Sequence, residues 1–173
     1  MPGPTIYLLR VLHVVLGVCW VGAIVFIAAF LMPSIRASGP AGATIMRQLM
    51  QERRLPLWLM GAAVLTILSG LGLYWVDSAG FQSPWLASGP GRVFGLGAVM
   101  AIAAAGVGMS VNNPAGRRLA ELAAPIQAER RAPTPEEAAQ IAALQTRLNR
   151  ATNLVAVLLL LATLAMAVAR YVP

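Results

Sequence analysis

The sequence predicts an all-α fold: an integral membrane antiparallel four-helix bundle with a cytoplasmic helical extension between helices three and four. Its 173 residues are 58% hydrophobic and only 11% charged, whereas about a quarter of the residues of soluble domains are charged. Four runs, Val11 to Met32, Leu57 to Val76, Val93 to Val111 and Ala151 to Ala169, contain no Asp, Glu, Lys or Arg, and each comes near the roughly 20 residues needed to cross a bilayer core. The basic residues gather between those runs. The chain therefore reads as one domain, 1–173, with spans at about 8–32, 56–76, 92–112 and 150–171 and a helical hairpin at about 113–149.

Span one follows Arg10 and is followed by the small residues Ala37 and Ser38, as a secretion signal would be. Its apolar run is longer than the about 7–15 residues of a signal core, so it is expected to be retained. After it, "MPSIRASGPAGA" is a Pro/Gly-rich turn, and "ATIMRQLMQERR" sets Ile45, Leu49 and Met50 against Arg47, Glu52 and Arg53. That pattern predicts a short interfacial amphipathic helix. Span two ends in "YWVDSAGFQSPWL", where Tyr74, Trp75, Phe81 and Trp85 suit an aromatic belt, with a quinone or partner site as the functional alternative.

Span three carries Gly91, Gly95 and Gly97, small residues that let membrane helices approach closely. It continues into "NPAGRRLAELAAPIQAER", Asn113 to Arg130, a helical segment expected to be interrupted near Pro125. Ahead of span four, "PTPEEAAQIAALQTRLNRATN" offers Thr134 as N-cap, Pro135 at the first helical position and Glu137 to close a capping box. Without a later breaker, that helix runs from about Pro135 to Tyr171, about 55 Å at 1.5 Å per residue. It exceeds the bilayer core, so its first turns should project and pack Ile141, Leu144 and Leu148 on Leu119 and Leu122. The hairpin either connects two spans or serves as a docking platform.

A net charge of +7 suggests nucleic acid in a soluble protein, but no nucleic-acid partner is expected of a bilayer protein with this distribution. The basic residues are all arginine: Arg36, Arg47, Arg53 and Arg54 in one loop, then Arg117, Arg118, Arg130, Arg131, Arg147 and Arg150 in another. The positive-inside rule places those loops in the cytoplasm of a bacterial inner membrane and puts both termini and the Asp77–Gly91 loop on the outer, periplasmic side. The lipid bilayer, through anionic headgroups, is partner enough for such arginines. Cys19 is alone, so no intrachain disulfide can form.

Spans without charged residues argue against ion-coupled transport. Paired-carboxylate and Ser/His/Asp or Cys/His catalysis cannot be assembled from one histidine and no buried acid. No catalytic residue is nominated, and whether the chain is an enzyme stays open. The remaining candidate for chemistry is His13, within "LHVVLGVCWVGAIVF". At 100° per residue, Arg10, Gly17, Trp20 and Ile24 fall within about 60° of His13 on the helix surface, and Cys19 lies about 120° away.

A histidine, a glycine shelf, an indole and a rim arginine are what a membrane bundle needs to hold a haem by its iron and one propionate. For the second axial position Met166 lies at a similar depth and Met100 somewhat deeper; five-coordinate haem, or a His13 pair across a homodimer, would also serve. Arg170 is a second candidate propionate anchor. Copper is the lesser metal possibility, since imidazole and thioether both suit it. The alternative is a neutral imidazole bonded to a carbonyl or hydroxyl of a neighbouring helix, in a cofactor-free structural or assembly subunit of a larger membrane complex.

The first-helix stretch with His13, Trp20 and Gly22, the helix-two "LTILSGLGLYW" and the ending "LATLAMAVARYV" resemble the CopD-like superfamily of small integral membrane proteins. The resemblance covers most of the chain. It implies kinship with copper-resistance membrane proteins and with HemJ-type protoporphyrinogen oxidases, which hold haem b by a first-helix histidine; only His13 matches that ligand position. HemJ-type enzymes also use a lysine, and this chain has none, so protoporphyrinogen oxidase activity is not expected.

Overall fold

A proline stands in the first or second position of each of the four long helices, at Pro4, Pro56, Pro90 and Pro135. There its missing N–H costs nothing and its fixed φ already suits the helix. The computed structural model describes residues 3–173; residues 1 and 2 of the expected domain lie outside the described residues. The elements are α1 (Pro4–Ala37), α2 (Pro40–Arg47, prolonged by Gln48–Glu52), α3 (Leu55–Asp77), the single turn α4 (Ser83–Leu86), α5 (Gly89–Ala128) and α6 (Pro135–Tyr171). Among the described residues all regular structure is helical, and α1, α3, α5 and α6 are long and apolar enough to cross a membrane.

Two of these helices contain a wide π-type turn, at Ile27–Leu31 in α1 and at Gly108–Asn112 in α5. Each precedes a proline, Pro33 or Pro114, which can neither bond to the carbonyl four residues back nor clear it in a tight helix. Widening the preceding turn takes up that misfit. The interruption expected near Pro125 is not where the helix yields. Pro125 lies within the helix, in the last turn before Ala128, where little helix remains to be disturbed, and the irregularity falls ahead of Pro114 instead. The expected amphipathic helix forms as α2, and α6 follows its expected bounds.

At the start of α6 the capping box closes: the Glu137 N–H donates to Thr134 Oγ1 at 3.2 Å, and the Thr134 N–H donates to Glu137 Oε2 at 2.8 Å. Arg131 clasps Glu137 with two bonds of 2.6 and 2.7 Å and reaches Glu129 at 2.8 Å. The guanidinium beside Glu137 pulls its carboxyl down to about 2. This clip closes the tip between α5 and α6.

The most extensive packing joins α1 to α3 and α5 to α6, with lesser α1–α6 and α3–α5 contacts. Along the first seam Leu9 meets Gly72, His13 meets Gly70 and Gly17 meets Thr66. Along the second, Met166 meets Gly97 and Asn112 meets Thr152. In both, numbers rise on one helix as they fall on the other. Trp20, Ile24, Ala62, Ala104, Val155 and Leu159 form the buried centre, whereas Leu8, Val18, Phe30, Leu68 and Val99 point outward and stay exposed. Small residues inside and large apolar residues outside invert the soluble pattern.

Candidate functional site

The site is built where α1 crosses α3. Thr66, Ser69 and Gly70 stand three and four residues apart and share one face of α3; Thr66 is 7% exposed and Ser69 3%. Ser69 Oγ donates to the Leu65 carbonyl at 2.6 Å, with the Thr66 carbonyl at 3.1 Å. Gly70 leaves the space that the His13 ring occupies. A Cβ there would come within 2.7 Å of His13 Cε1 and 3.0 Å of Nδ1, so any larger residue would displace the imidazole.

His13 Nδ1 lies 2.8 Å from the Thr66 carbonyl oxygen. A carbonyl can only accept, so the bond puts the ring proton on Nδ1 and the lone pair on Nε2. Among the described residues no protein group bonds to Nε2. This is the form in which metal-ligating histidines are held, one nitrogen oriented by a backbone carbonyl and the other bare. A second unspent polar atom, Thr66 Oγ1, is buried in the same seam without a partner.

The other nominated residues separate. Gly17 is no open shelf: its missing Cβ would sit 3.5 Å from Thr66 Cγ2, so α3 already covers it. Trp20, 4% exposed, belongs to the central core. Arg10 is half-buried one turn before His13 and forms no ion pair among the described residues. Met166 rests its terminal methyl 3.3 Å from the Cβ position of Gly97, on the α5–α6 seam. Met100 is half-buried on α5, and Arg170 and Cys19 are exposed. Among the described residues no three His, Cys, Asp or Glu side chains gather as a metal cluster.

The aromatic residues of the 78–88 connection pack on those at the end of α3. Trp75 and Phe81 meet edge-on at 5.1 Å, Tyr74 and Trp85 at 5.0 Å, and the Tyr74 hydroxyl donates to the Gly91 carbonyl at 3.0 Å. Their faces close a turn. Comparison with protein-family models, curated proteins and solved structures gives no match. The geometry of His13, Thr66 and Gly70 must stand by itself. Sequence reasoning overlooked Thr66, Ser69 and Gly70, whose trace was visible in "TILSG": two hydroxyls and a glycine on one face of an otherwise apolar run.

Proposed function

We propose that this chain is an antiparallel four-helix bundle of the bacterial inner membrane, with both termini on the periplasmic side, in which His13 holds haem b for electron transfer. The observation that supports this reading is the fixed imidazole, protonated on Nδ1 by the 2.8 Å bond to Thr66 and bare at Nε2. A lone titratable ring inside an apolar span is costly unless it is used. The resemblance of the first helix to the CopD-like superfamily points the same way.

The residues fit the group in part. His13 would hold the group's iron through Nε2 and Arg10 would pair with a propionate, while Gly17 serves the helix seam and Trp20 the core. The Thr66 carbonyl orients the ring and raises its basicity as a ligand. Gly70 sets how deeply the ring seats, and the apolar walls exclude water. Haem, when bound, supplies one-electron chemistry whose potential those surroundings tune.

An absorption spectrum of the detergent-purified protein from haem-sufficient cells, oxidised and then dithionite-reduced, tests this beside His13→Ala. A Soret band with α and β bands, lost in the variant, is expected. A wild-type protein without a Soret band would overturn the reading.

Two observations favour a second function, a cofactor-free assembly subunit: the His13–Thr66 bond by itself fastens α1 to α3, and Gly17 is already covered. That role predicts a His13→Ala protein with unaltered optical properties and unaltered partner co-purification.

A further inference from the structure

Away from His13, α5 and α6 border a groove of about 700 Å³. Its floor is apolar, with Val107 and Val111 from α5 and Ala151 and Leu154 from α6; Arg147 and Arg150 stand midway along it, between those residues and Ala142, Ala143 and Thr146. Both arginines are exposed. The ion pairs among the described residues all belong to Arg131, and no carboxylate lines the groove. Thr146, also on the wall, spends its hydroxyl on the Ala142 carbonyl at 2.9 Å.

From the arginines toward Leu154 the groove turns wholly apolar. Arg147 and Arg150 directly precede the uncharged run that begins at Ala151, so positive charge meets apolar surface where α6 enters its proposed span. A soluble anion would pair with the arginines and make no use of the apolar surface beside them, where Leu154 is 49% exposed. An apolar peptide would cover Leu154 and leave two guanidinium groups unpaired. An amphiphile satisfies both.

We propose that this groove binds an anionic phospholipid of the cytoplasmic leaflet, its phosphate between Arg147 and Arg150 and an acyl chain along Val107, Val111 and Leu154. Arginine suits the task because its planar fork can give a phosphate two parallel hydrogen bonds. The inference rests on the membrane placement proposed above and not on haem.

Native mass spectrometry tests it, on full-length protein released from micelles containing equal phosphatidylglycerol and phosphatidylcholine. The wild type should retain phosphatidylglycerol selectively. Arg147→Gln with Arg150→Gln should weaken retention roughly thirtyfold, from about 1 kcal/mol for each arginine at an anionic surface. Val111→Trp should fill the acyl path, keep both arginines and remove the adduct as well, with helix content by circular dichroism unchanged. Arg53→Gln with Arg54→Gln removes the same charge elsewhere and should leave the adduct in place.

Equal retention of the two lipids would overturn the site. Equal loss in the Arg53/Arg54 variant would reduce it to diffuse charge attraction, and retention of free glycerol phosphate as firmly as the lipid would make it a soluble-anion site. A chain released from membranes by alkaline wash would instead defeat the membrane placement, a result separable from these.

Discussion

The α1–α3 and α5–α6 seams are made by one device and used differently. In both, small residues bring the helices close: Gly17 and Gly70 in one, Gly97 and Ala162 in the other. Each seam then carries one interhelical polar bond. Asn112 Nδ2 donates to Thr152 Oγ1 at 3.3 Å, and His13 Nδ1 to the Thr66 carbonyl at 2.8 Å. What is left over differs: the buried amide oxygen of Asn112 is a poor partner for iron or copper, whereas the bare Nε2 of an imidazole is a good one. Close packing of small residues therefore marks a seam, and the atom left unbonded decides whether that seam can do chemistry.

The largest expected effect comes from filling the space at Gly70. Gly70→Leu drives a side chain into the ring, and overpacking of this kind costs about 3 kcal/mol at the upper end of its usual range. Thermal unfolding in detergent should report the loss, and any haem bands should fall with it. If Gly70→Leu leaves both unchanged, the His13 pocket is not formed as described. Next, His13→Ala should cost about 1 kcal/mol, as removal of an interhelical membrane hydrogen bond does, while abolishing any Soret band that the proposed haem gives.

Asn112→Ala sharpens the contrast. It should cost about 0.6 kcal/mol, near the average for such bonds, and leave the spectrum intact; a spectral change here would dissolve the distinction between the seams. Thr134→Ala acts outside both, removing an N-cap worth about 1 kcal/mol locally, read as faster amide exchange in the first turn of α6 alone.

The smallest effect is acid opening of the α5–α6 tip. Glu137 is lowered from 4.5 to about 2 by Arg131, so its contribution is complete above pH 4.5, declines as pH falls and disappears once it is protonated near pH 2. Arg131 stays charged throughout. The Thr134 and Glu137 amide resonances should shift together across that window, and resonances that stay still would show that the clip is not formed.

Four uncharged runs, the capping box at Thr134 and the length of α6 were legible because each depends on residues adjacent in sequence. His13 was legible as the lone polar ring in its span. Its partners were not, because the meeting of His13 with Thr66 and Gly70 depends on the register between two helices, which no local pattern states. The same gap explains Gly17: its spacing from His13 was read correctly, but α3 covering it belongs to the packing. Pro125 misled for a related reason, since proline disrupts by position within a helix and the cost fell at Pro114 instead.

The Arg131 clip has a consequence for how the chain is made. Every bond in it lies within residues 129–137, so it can close as soon as that stretch leaves the ribosome, before the rest of α6 has emerged. Contacts so near in sequence form early. The two long helices would then meet already tied at their shared tip, which limits the search left to α6 to sliding and turning against α5 until Gly97 finds Ala162.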